Sequence, residues 1–177
     1  LPQSALAEVR KIYALAKKEK QDAQTIKALV FITQLQEETR EEDEILSVKE
    51  METEIASSKE PVTSILKSQL AEIYRNYLQQ HRWQFYNRTT TVDFKKDDIA
   101  TWTLEDLHKK ITELYLQSIS NEKLLQQTKL EPFDAIIYKG NVRHLRPTLY
   151  DLLAHRAVDY FETGERDIKN PSYSFEI

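Results

Sequence analysis

Apolar residues recur three and four positions apart along most of this chain, a spacing that gathers them on one face of a helix. Ala5, Leu6, Val9, Ile12, Tyr13 and Ala16 form the first stripe, and Pro2 suits the first turn of a helix running to about Lys20. Asp22 is placed to cap a second helix with a broad apolar face of Ile26, Leu29, Val30, Ile32 and Leu35. The short Gln21–Asp22 connection predicts an antiparallel hairpin. Ile45, Val48, Met51 and Ile55 form a third stripe, which the sequence SSKEP ends. Pro61 then opens a fourth helix carrying Val62, Ile65, Leu66, Leu70, Ile73, Tyr74, Tyr77 and Leu78. Its density of large apolar side chains predicts one of the most buried helices.

The pattern breaks at residues 81–102, where HRWQFYNRTTTVDFKKDDIATW mixes aromatics, threonines and charges and predicts a long loop. Thr103 and Asp106 then have the spacing of a capping box, before Leu104, Leu107, Ile111, Leu114, Tyr115 and Ile119. A weaker helical stretch covers Glu122 to Gln127. Pro132 starts a short helix through Ile136 and Ile137 that Gly140 ends. Thr148 and Asp151 introduce the last long helix, Leu149 to Glu162, with Gly164 as its stop. The prediction is an all-α array of antiparallel hairpins, about six or seven helices, resembling a short α-solenoid of the tetratricopeptide (TPR) type. The signature residues of that repeat are not cleanly present, and no strict 34-residue period is visible. The expected organisation is a helical domain over residues 1–168, hairpins 1–80 and 103–164 joined by loop 81–102, and a linker at 169–177.

Composition agrees with this reading. The chain has 177 residues with only two glycines and five prolines, too few for the many tight turns of a sheet protein. There is no cysteine, hence no disulfide, no thiol nucleophile and no cysteine-ligated zinc. No apolar run reaches the length of a membrane helix, and no signal peptide is present. The chain begins at Leu1 and ends in SFEI, which suggests a piece of a longer polypeptide. The formal charge of −4 gives no general attraction to nucleic acid. The run EETREEDE, Glu37 to Glu44, has seven charges in eight residues and reads as a solvated helix end or turn. It lacks the glycine and alternating Asp/Asn of a calcium loop.

Two constellations deserve a chemical reading. Asp151, His155 and Asp159 fall at i, i+4 and i+8, stacking two carboxylates and an imidazole on one helical face. They would spread over about 12 Å of rise, more than one metal ion bridges. Asp151 fits better as the partner of Thr148 in a cap, with His155 hydrogen-bonded into a neighbouring loop. Arg146, Tyr150, Asp151, His155 and Arg156 are therefore expected to hold helices together, and a hydrolase or metal enzyme built on Asp151 and His155 is the distant alternative. HRWQFYNR interleaves basic and aromatic residues as single-strand nucleic-acid platforms do. In an acidic chain, His81, Arg82, Trp83 and Tyr86 fit better as an aromatic cluster clasping the fourth helix to later ones. No serine sits in a GxSxG elbow, and no phosphate or dinucleotide loop is present, so no enzyme and no cofactor are expected.

Four segments occur in the order found in a known family: LPQSALAEVRKIYALAKKE, SQLAEIYRNYLQQHRWQFYNRTTT, ITELYLQSISNEKLLQQTKLEPFDAII and RPTLYDLLAHRAVDYF. They resemble the helical N-terminal region of the alpha-2-macroglobulin-family proteins of Bacteroidota-type bacteria, with RPTLYDLLAHRA and HRWQFYNRTTT the most specific pieces. The resemblance implies a large cell-envelope protein, periplasmic or lipid-anchored, that traps proteases in defence. The family's thioester needs a cysteine, which this chain lacks. The resemblance thus implies a scaffold or interaction domain whose partners are other domains of the same polypeptide, or a protein or peptide. A free-standing TPR-like adaptor is the alternative.

Overall fold

The computed structural model describes residues 2–37, 41–86, 99–137 and 143–163. Among them the chain is all-helical, with eight α-helices and no strand beyond one isolated bridge between Lys129 and Thr148. The helices are α1 (Pro2–Lys18), α2 (Asp22–Glu37), α3 (Glu41–Ser57), α4 (Val62–Gln80), α5 (Arg82–Tyr86), α6 (Leu104–Ser118), α7 (Glu122–Gln127) and α8 (Leu149–Glu162). The expected stop glycines Gly140 and Gly164, the 169–177 linker and the NRTTT part of the long loop lie outside the described residues. So do the side chains of residues 37–45.

Local chemistry explains most boundaries. At the end of α1 the Lys20 N–H bonds the Lys17 carbonyl at 3.2 Å and the Gln21 N–H bonds Ala16 at 2.9 Å. That is a Schellman turn, and its left-handed position, normally a glycine's, is held by Lys20 at φ 56°. Asp22 is not the cap of α2 but lies in its first turn, where its charge suits the helix dipole. The Gln21 carbonyl accepts the first helical bond, from the Thr25 N–H at 2.9 Å. Pro61 stands at the N-cap of α4 without a side-chain acceptor. Glu60 supplies one instead, accepting from the Ser64 N–H at 3.3 Å and hydroxyl at 2.7 Å. Both sequence-predicted capping boxes are present, Thr103 with Asp106 on α6 and Thr148 with Asp151 on α8.

The segment expected to be loop from residue 81 begins instead with α5, a single turn running on from α4. The His81 N–H bonds the Tyr77 carbonyl at 3.0 Å, and the Gln84 N–H bonds His81 at 2.9 Å. Among its described side chains Phe85 is the buried one, and it joins the apolar core. The short helix expected at Pro132 is a 3-10 turn, Glu131–Phe133, followed by further turns to Ile136.

One apolar core runs from α2 to α8, and α4 is at its centre. This helix packs on α2, α3, α6 and α8, most extensively on α6. All eight apolar residues expected on its face are buried. Tyr74 stacks on Trp102 with ring centroids 5.5 Å apart, and Phe85 meets Tyr77 edge-on at 6.2 Å. Helix α1 departs from expectation, because of its apolar stripe only Ala16 is fully buried.

Candidate functional site

Three inter-helix joints share one chemistry. In two of them a glutamate accepts a tyrosine hydroxyl from another helix, in the third the carboxylate acts on the tyrosine through its charge, and in all three a cation lies close by. Tyr13 of α1 donates to Glu54 of α3, and Lys17 approaches the same carboxylate oxygen at 2.7 Å. Tyr74 of α4 feels the charge of the Glu52 carboxylate of α3, and Lys110 of α6 reaches Glu52 at 3.3 Å and lies 5.8 Å from the centroid of the Tyr74 ring. Tyr115 of α6 donates to Glu72 of α4 at 2.9 Å, and Arg156 of α8 stands 3.9 Å from that carboxylate. Charge-assisted bonds of this kind are directional, so each fixes the register of one helix against its neighbour.

The joints perturb the groups that build them. Burial and the adjacent carboxylates push the Tyr74 and Tyr115 hydroxyls well above their ordinary value. Burial also raises Tyr13, with Glu54 adding to it. The hydrogen bond to Glu54 raises Lys17. Burial of Glu54 opposes its ionisation, but the bonds from Lys17 and Tyr13 outweigh it and hold the carboxyl below its usual range.

On α8 the structure separates the residues that the sequence placed together. Asp151 is occupied by the cap, accepting from the Thr148 N–H at 2.9 Å and hydroxyl at 2.7 Å. His155 and Asp159 are exposed, and His155 makes no hydrogen bond to a described residue, so the expected tie to a loop is absent there. Among the described residues no group of three His, Asp or Glu side chains could hold a metal. Tyr150 packs partly buried against the core, and Arg146 is exposed. The histidine that does join two helices is His108 of α6, whose Nδ1 lies 2.8 Å from the buried Tyr160 hydroxyl of α8. Sequence spacing gave no hint of this pair, which is 52 residues apart.

The HRWQFYNR segment divides likewise. His81 lies against Tyr77, one helical turn before it, at 4.4 Å between centroids, and Phe85 is buried. Arg82 is exposed, Trp83 is 82% exposed and joins no cluster of described residues, and the Tyr86 side chain lies outside the described residues.

Among the described residues, one groove of about 220 Å³ lies beside α4 and α8. Ile65 and Gln69 of α4 line one part of it, and Phe133, Ile136 and Ile137 of the 3-10 segment another. Leu149, Leu152, Leu153 and Arg156 of α8 complete it. The start of α8 is anchored there by the Leu149 N–H, which donates to the Thr128 carbonyl at 2.9 Å. The pairs Glu72–Arg156 and Arg75–Tyr160 advance together along the two helices, so α4 and α8 run in the same direction. Of the candidate site residues named from sequence, only Arg156 lines the groove; Ile65, Ile136, Ile137 and Leu149 were read as parts of helices, and nothing in their spacing joins them to Arg156.

No described helix is long and apolar enough to cross a membrane. In comparisons with known proteins, the chain matches no family model, no curated protein and no solved structure.

Proposed function

We propose that this chain is a non-enzymatic helical scaffold or interaction domain of a large macroglobulin-like protein of the bacterial cell envelope, with a part in protease inhibition and defence. The observation that supports a scaffold role is the series of tyrosine–glutamate–cation joints, which set helix against helix in fixed register. Such an array holds attached domains at a set spacing and presents a surface of fixed shape. The envelope setting and the link to macroglobulins rest on RPTLYDLLAHRA and HRWQFYNRTTT alone. The second reading, a TPR-like adaptor that binds a peptide on its own, is favoured by the groove beside α4 and α8.

Fractionation of cells carrying an epitope tag on the native gene product separates the two. A product several times heavier than 20.9 kDa in the envelope fraction is expected. Deleting residues 1–168 from it should leave trypsin trapping intact and change where the protein is held. A product of about this mass in the cytosol would sink the macroglobulin reading and leave the adaptor.

A further inference from the structure

We propose that the groove beside α4 and α8 docks an extended peptide segment bearing one bulky apolar side chain and, two residues further on, a carboxylate. The inference rests on the interaction-domain reading and deepens it by naming the partner's chemistry.

Size excludes the larger ligands. Pockets for drug-sized molecules and cofactors occupy roughly 300–1,000 Å³, and this groove holds about 220 Å³. That is room for one anchoring side chain. An amphipathic helix would need a longer trough for anchors at i, i+3 or i+4, and i+7. A single anchor flanked by extended backbone fits the space.

Polarity gives the segment its second feature. Gln69 stands four residues beyond Ile65 on α4, and Arg156 four beyond Leu152 on α8. Because the two helices run in the same direction, both polar groups mark the same end, about 6 Å from the apolar part at 1.5 Å per residue. Residues i and i+2 of an extended peptide point to the same side and are separated by about 6.6 Å. An apolar anchor at i therefore places the side chain at i+2 over Gln69 and Arg156.

Charge selects what that side chain is. Arg156 is half-buried, and among the described residues Glu72 is the only acid within ion-pair distance, at a loose 3.9 Å. The oxygen it faces already accepts the Tyr115 hydroxyl at 2.9 Å. A guanidinium has five N–H donors and matches a carboxylate with two parallel bonds, so this one has capacity for an incoming acid. The Gln69 amide supplies a further donor beside it.

The test is a titration of the ¹⁵N-labelled 177-residue chain with the peptide acetyl-Gly-Ser-Phe-Ser-Glu-Ser-Gly-amide, followed by amide shifts. Control peptides replace Phe with Ala or Glu with Lys. Saturable shifts centred on Ile65, Gln69, Leu152 and Arg156 are expected, with both controls at least five-fold weaker. Arg156→Gln should abolish the preference for Glu over Lys while keeping the preference for Phe over Ala. Gln69→Lys should tighten the Glu peptide several-fold, a gain that misfolding cannot imitate. Equal binding of all three peptides, or no shifts at millimolar peptide, overturns the inference. Saturable shifts elsewhere, around exposed Trp83 for instance, overturn it too but leave the interaction-domain reading standing. Cell fractionation judges the envelope assignment separately.

Discussion

Helices α1 and α6 are close in length, 17 and 15 residues, and both carry apolar stripes at helical spacing. Their fates differ. Helix α6 buries Leu107, His108, Ile111, Leu114, Tyr115 and Ser118. Helix α1 leaves Ile12 and Leu15 more than half exposed, at 53% and 55%. It packs along α2, and polar contacts tie it to α3, Arg10 to Glu50 at 2.7 Å and the Tyr13–Glu54–Lys17 joint. The two also differ at their ends, since α6 starts in a complete capping box and α1 finishes on a left-handed lysine. An amphipathic stripe therefore says which face seeks cover, and the number of packed neighbours decides how much it receives.

The sharpest way to break the contrast is to cut into the core. Ile111→Ala, at a fully buried site, should cost about 3 kcal/mol in chemical denaturation. An Ile12→Ala change on α1 should cost a fraction of that. Removing a cap comes next: Thr103→Ala and Thr148→Ala should each cost about 1 kcal/mol. The two should be additive to within a few tenths if α6 and α8 are capped independently.

Lys20→Gly should act in the opposite direction. It relieves a side chain held at φ 56° and should raise stability by about 0.5–1 kcal/mol. Unchanged melting would show that the turn at the end of α1 carries no strain.

The smallest global effect should come from Glu54→Gln, less than about 1 kcal/mol, because Lys17 is half exposed. The local effect should be clear: faster amide exchange throughout α1, with α6 unchanged. Acidity should reproduce it. The carboxyl of Glu54 sits below its ordinary 4.5, so its contribution is complete above that pH and is lost as pH falls through the lower folded value. The Tyr13 and Lys17 groups sit above 10.0 and 10.5, so their contributions are complete below those values and disappear as pH rises through the folded ones. At about pH 3, exchange in α1 corrected for its intrinsic rate should outpace that in α6. Equal protection of the two helices would remove the distinction.

What the sequence made legible was local. Thr103 with Asp106 and Thr148 with Asp151 are three residues apart, and each pair closes on itself whatever surrounds it. The face of α4 was equally plain because nearly every turn carries a large apolar side chain. What stayed hidden was long-range. Tyr13 and Glu54 are 41 residues apart, and Tyr115 and Glu72 are 43 apart. No period along the chain marks such pairs. Buried polar residues on α2 were hidden too: Thr33 is satisfied by the Leu29 carbonyl at 3.0 Å, and Gln36 by the Ser47 hydroxyl at 2.7 Å. Helix α5 was missed because one turn shows no periodicity. Of the groove, only Arg156 stood out as a site residue, since its walls come from segments that fold together without spacing to announce it.

The central position of α4 carries a consequence for the chain as it is made. Its cover arrives in two instalments, α2 and α3 before it and α6 and α8 after it. A nascent chain released only as far as Gln80 would hold the helix with one flank covered. The ring face of Tyr74 that stacks on Trp102 would be bare, and so would the side of Tyr77 that meets Phe85. Such an intermediate is sticky by construction, and synthesis must run past Glu162 before α4 is enclosed.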